Sequence, residues 1–119
     1  MEGKWSMWLF SKSGFVSVVA HREHEGMLLV RSRFEEDIAA VCERLAAAGV
    51  MVEPFEDRHA DYRYRVVCPK EVFAKLVADW VGEIDYDNYK SAVHGNPVRD
   101  RAYMGCWSAM HAAQQVPYE

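Results

Sequence analysis

A chain of 119 residues is the size of one domain, and with half its residues hydrophobic it can bury a core without disulfides or a metal to staple it. Its formal charge of −4 argues against tight, non-specific binding to duplex DNA, which needs a broad basic surface, but leaves room for a local basic patch. No apolar run, Gly26 to Val30 and Leu45 to Val52 included, is nearly long enough to span a bilayer.

The N-terminus does not read as a signal peptide, because Ser6, Ser11 and Lys12 interrupt the apolar stretch after Lys4. A cytoplasmic location with no membrane association is therefore expected. Cysteines stand at 42, 68 and 106, an odd number without a CxxC pair. Cys42 and Cys106 fall on apolar helix faces and are expected to be buried free thiols.

Residues 1–6 read as a loose leader, and 7–119 as one α+β domain. Met7 to Phe10 and Phe15 to Ala20 are short apolar runs joined by the turn signal Ser11-Lys12-Ser13-Gly14, the pattern of a β-hairpin. Met27 to Arg31 is a third strand. A helix follows: Ser32 and Glu35 have capping-box spacing, and Phe34, Ile38, Val41, Leu45 and Ala48 share one face. Gly49 is its expected stop. Val50 to Glu53 reads as a strand ended by Pro54.

Asp61 to Val67 alternates, with Tyr62, Tyr64 and Val66 on one face and Arg63, Arg65 and Val67 on the other. Pro69 opens a second helix whose buried stripe is Val72, Phe73, Leu76, Val77 and Trp80, and Gly82 stops it. Asp85 is expected to cap a short helix over the following residues. Asn96 and Pro97 begin a final helix running to Gln115, with Ala102, Cys106, Met110 and Ala113 along one side.

The element order β-β-β-α-β-β-α then helices contains the body of a ferredoxin-like sandwich, with an N-terminal β-hairpin and a C-terminal helical extension. The hairpin could supply the missing edge strand. One sheet face carries the helices; the other is solvated, paired with a second subunit, or covered by the C-terminal helices.

The segment Met7-Trp-Leu-Phe-Ser-Lys-Ser-Gly-Phe-Val-Ser-Val-Val19 resembles the opening of a small family of uncharacterised bacterial proteins. These begin Met-Trp-Leu-Phe, Ser or Thr, Lys, then Gly and an aromatic residue before Ser-Val-Val. The similarity extends to Asp61-Tyr62, to Asp85 through Lys90, and to Trp107 through His111. It implies that residues 1–6 precede the family's usual start and that the aspartate-rich segment belongs to the family pattern. It brings no established activity.

Four constellations could carry chemistry. The first is Arg31, Arg33, Arg63 and Arg65 with Tyr62 and Tyr64. Guanidinium groups gathered on a sheet face suit phosphate or carboxylate recognition, and sheet aromatics can stack on unpaired bases. No RNP motif is present, and the plain alternative is a solvated strand face, or arginines paired with Asp57, Asp61 or the C-terminal acids. The second is Asp85, Asp87, Asn88 and Lys90 with Tyr86 and Tyr89, which together could hold a polar ligand or a hard cation. The spacing is not that of an EF-hand, and capping accounts for Asp85.

The third is His21-Arg-Glu-His-Glu25 with Asp57 and His59, a sparse set for zinc, with a charged loop as its alternative. The fourth is Cys68, next to a helix start that would lower a thiol pKa, with His59, His94 or His111 as its base. Its alternative is a core thiol. Trp5, Trp8, Trp80 and Trp107 read as core or interface anchors. No Walker A loop, GxGxxG, GxSxG or zinc-ribbon spacing occurs.

These readings favour a non-catalytic protein, expected to be a homodimer, that recognises an anionic small molecule or a protein partner. Nucleic acid is a less favoured partner, and neither cofactor nor metal is expected. Its ligand-binding residues would be Arg31, Arg33, Tyr62, Arg63, Arg65, Asp85, Asp87, Asn88 and Lys90. The alternative is a small enzyme acting on a phosphate-bearing or other anionic substrate, with Arg31 or Arg65 for binding and Asp85 or Asp87 as acid, base or metal ligand. Both readings fail if Arg31 and Arg65 are buried in structural ion pairs.

Overall fold

The predicted hairpin forms from Met7–Ser11 (β1) and Gly14–Ala20 (β2), paired from Met7 opposite Val18 to Ser11 opposite Gly14. Gly14 takes φ +144, which a side chain rarely tolerates. A Cβ there would also lie 2.4 Å from Cγ of Asp37, so the turn is seated directly on that carboxyl group. The computed structural model describes residues 4–117 and divides into two compact units, 4–84 and 85–117. The predicted leader lies partly outside the described residues; of the rest, Lys4 to Ser6 are exposed and belong to no element.

In the first unit Met27–Ser32 (β3) is followed by Glu35–Ala47 (α1), Phe55–Glu56 (β4), Tyr64–Pro69 (β5) and Lys70–Gly82 (α2). One antiparallel sheet of five strands runs in the order β1-β2-β3-β5-β4. The fold is thus α+β, and β5 lies between β3 and β4, as a split βαβ arrangement requires. The ferredoxin-like order is nevertheless not fully matched. The hairpin adds two strands beyond β3, and β4 is only 2 residues long.

Strand alternation sends Val16, Val18, Val30, Val66 and Cys68 to one face, where they pack with Ile38, Val41 and Leu45 of α1 and Phe73 and Leu76 of α2. Each fully buried aliphatic side chain in such a core stabilises it by roughly 1.5–3 kcal/mol. Arg44, in the last turn of α1, grips Glu83 at the end of α2 through both guanidinium nitrogens. This contact lowers the Glu83 pKa and raises that of Arg44, in each case chiefly through the hydrogen bond.

Several boundaries depart from the sequence reading. The capping box does not form: Ser32 Oγ donates to the Phe34 carbonyl at 2.7 Å, and the N-cap position of α1 is held by Phe34, which makes no side-chain capping bond. Phe34 and Ala48 are exposed, whereas Ile38, Val41 and Leu45 are buried as predicted. The strand predicted over Val50 to Glu53 is absent; pairing begins only after Pro54, which cannot donate to a ladder. β5 starts at Tyr64 rather than Asp61, and Pro69 precedes α2 rather than opening it. Gly49 ends α1 with φ +85, as expected.

The second unit holds Tyr89–Val93 (α3) and Pro97–Gln114 (α4). Asn88 rather than Asp85 caps α3, its Oδ1 accepting from the Ser91 amide at 3.1 Å. Asn96 caps α4 through the Arg99 amide at 3.1 Å, with Pro97 at the first turn as predicted. The buried ring of Tyr103 stacks on Tyr89 at 6.1 Å. Cys106 and Met110 are exposed, so the predicted apolar side of α4 is not its buried one, and Cys106 is not a core thiol. Among the described residues, no helix is long and apolar enough to cross a membrane.

Candidate functional site

The sheet face turned away from α1 and α2 is set by register. Trp8 pairs with Ser17, Ser17 with Arg31, Arg31 with Arg65, and Arg65 with Phe55. These five residues form one row that crosses every strand and spans roughly 19 Å at the usual strand spacing. Phe10 and Phe15 pair on one side of the row, and Val19, Leu29 and Val67 flank the other. No strand position on this face carries an acid.

Arg31 and Arg65 therefore stand directly opposite each other, an arrangement of like charges that ordinarily destabilises a sheet. Tyr62 offsets this. Its ring lies 4.6 Å from the Arg31 guanidinium and 4.4 Å from that of Arg33, and its carbonyl accepts from Arg65 Nε at 3.0 Å. Ring quadrupole and carbonyl dipole both hold cations in place. Arg31 Nη2 donates to Ser17 Oγ at 2.8 Å, while its buried Nε has no hydrogen-bond partner among the described residues.

The remaining two arginines of the cluster are neutralised. Arg33 Nη1 binds the Asp61 carboxylate at 3.2 Å and its carbonyl at 3.0 Å. Arg63 Nε donates to Glu56 at 2.6 Å, which raises the Arg63 pKa. Arg31 and Arg65, by contrast, have no carboxylate in ion-pair reach among the described residues. The outcome that would have removed the site is thus not found.

Tyr62 corrects the alternation read from the sequence. It precedes β5, and its ring lies against Arg31, Arg33 and Phe15 rather than sharing the Tyr64 and Val66 face. At 5% exposure it cannot meet a ligand; it positions the arginines. An aromatic chain leads outward from it: Phe15, then Phe10 stacked at 4.5 Å and Trp8 edge-on at 5.7 Å. Trp8 is 64% exposed and Phe55 48%.

Asp85, Asp87, Asn88 and Lys90 belong to the second unit. Asn88 is occupied as a cap, and Lys90 Nζ lies 4.7 Å from the Trp107 ring centroid. Asp85 and Asp87 are exposed. His21 and His24 approach to 4.7 Å between ring centres, but His21 Nδ1 accepts from the Glu23 amide. No grouping of three or more His, Cys, Asp or Glu side chains suited to a metal occurs among the described residues. The His59 amide donates to Asp57 Oδ1, closing the loop on itself.

Cys68 is fully buried within β5, and burial pushes its thiol pKa up to about 11, the reverse of the thiolate expected at a helix start. His94 is joined to Asp100 at 2.8 Å, and His111 stacks on Trp107. Cys42 is half-buried, its pKa raised by burial and by Glu53.

The sequence reading missed Trp8, Ser17 and Phe55 as neighbours of the arginines. The two-residue turn of the hairpin aligns Trp8 with Ser17; Phe55 is hidden because the sequence pattern points to a strand before Pro54 rather than after it. The chain matches no protein-family model, no curated protein and no solved structure.

Proposed function

We propose that this chain is a binding protein that recognises an anionic ligand on the sheet face away from α1 and α2. Arg31 and Arg65 supply the charge and Tyr62 positions them. The observation that carries the reading is the in-register pair of guanidinium groups without a carboxylate partner among the described residues. Each uses part of its donor fork on a fixed anchor and leaves further N–H groups for a ligand.

In the same proposal the first unit is a variant of the ferredoxin-like sandwich, supported by β5 lying between β3 and β4. The likeness to the bacterial family and a cytoplasmic, homodimeric state complete it. A dimer contact would form away from the arginine pair, and exposed Met51, Val81 and Ile84 offer apolar surface for one.

The test is a titration of the 15N-labelled protein with pyrophosphate, following the arginine Nε–H resonances. Those of Arg31 and Arg65 should shift and saturate together. Arg31→Gln or Arg65→Gln should weaken binding about tenfold or more, the size of a lost hydrogen bond to a charged group. Small, unsaturated shifts spread over all the lysines and arginines would overturn the reading.

A further inference from the structure

We infer that the anionic ligand is a single-stranded nucleic acid laid across the strands over Trp8, Arg31, Arg65 and Phe55, with the buried Ser17 beneath it anchoring Arg31. This inference rests on the anion-binding reading above and names its ligand class. The row places an exposed aromatic ring at each end and two guanidinium groups between them. At the spacing of adjacent strands, Phe55 lies one strand from Arg65, and Trp8 two strands from Arg31.

Single-stranded ligands need this combination: cations that follow the phosphates, and ring faces on which unpaired bases stack. Charge complementarity selects among occupants. A second copy docked face to face would bring its own arginine pair against this one, with no acid at any strand position of the face to receive either. Duplex DNA offers no free base faces, and the net charge of −4 opposes the broad contact it needs. An acidic peptide could meet the arginines but has no planar groups to match Trp8 and Phe55.

The experiment measures fluorescence anisotropy of the full chain with a short labelled oligouridylate. A base-free deoxyribose-phosphate oligomer of equal length and a polyglutamate peptide serve as controls. The wild type should prefer the oligouridylate to the base-free oligomer at least tenfold. Trp8→Ala with Phe55→Ala should erase that preference, each contributing about fivefold or more, and leave the base-free affinity unchanged. Trp8→Phe, which retains a ring, should keep the preference. Arg31→Gln with Arg65→Gln should weaken both oligomers together.

Equal binding of the two oligomers, unaltered by loss of Trp8 and Phe55, would overturn the nucleic-acid inference and leave the anion reading standing. Preference for polyglutamate would do the same. No binding of any probe, or affinities indifferent to the arginine substitutions, would overturn both.

Discussion

Arg31 and Arg65 repel each other across β3 and β5, and the sheet accepts them because Tyr62 meets both, one through its ring and one through its carbonyl. Burial governs Cys68 by the same logic in the opposite sense: with its environment apolar, the neutral thiol is favoured and the pKa rises from 9.0 to about 11. A folded-state pKa above the unfolded one means that stability is complete below pH 9 and declines as the pH rises through about 11, because the unfolded chain sheds its proton first. The loss is roughly 2–3 kcal/mol, at 1.36 kcal/mol per pK unit. Urea unfolding of the wild type and of Cys68→Ala across this range should show the wild-type slope steeper by up to one proton; equal slopes would refute the assignment. Cysteine at the end of an alternating strand was visible in the sequence. Its direction, into the core rather than towards a helix N-terminus, depends on where β5 ends, at Pro69 rather than Val67.

Between elements, the hairpin turn is seated directly on the first turn of α1. Asp37 is 3% exposed, and its Oδ2 accepts from the Phe15 amide at 3.0 Å, while Gly14 presses against its carboxyl group. Gly14→Ala meets both the strained φ of +144 and the carboxyl group, and should cost at least about 2 kcal/mol. Asp37→Ala strips the Phe15 amide of its acceptor, at about 1–3 kcal/mol. In the double variant the Gly14 penalty should fall, since the obstructing carboxyl group is gone, giving a coupling of at least about 0.5 kcal/mol in a denaturation cycle. Strict additivity would show that the contact is not what fixes the turn. Elements with strong local signals were legible: the turn at Ser11 to Gly14, the stop at Gly49, and Asn96 with Pro97. β4 was not, because 2 residues held only by pairing with β5 leave no periodicity to read. Asp37 was equally hidden, since among three acids opening α1 nothing marks the one that a distant turn will bury.

At the scale of the molecule, a formal charge of −4 coexists with a sheet face on which no strand position carries an acid: within the first unit the acids lie in the helices, in the loops and, at Glu56, on the opposite face of the 2-residue β4. The row joins residues from every strand, so it could not be read until the register was known, although each member stood plainly in the sequence. This distribution fixes how binding must depend on salt. A single strand that loses counterions at two arginines gives a slope of log K against log salt of about −1.4, at about −0.7 per phosphate contact. Repulsion between the anionic chain and the ligand is itself screened by salt, which flattens the slope further. For the oligouridylate, the wild type should therefore give a slope no steeper than about −1.4, and Arg31→Gln with Arg65→Gln should bring it close to zero. Loss of Trp8 and Phe55 should lower the line without tilting it, because stacking releases no ions. A slope several times steeper, insensitive to the two arginines, would assign binding to scattered surface cations instead of the row.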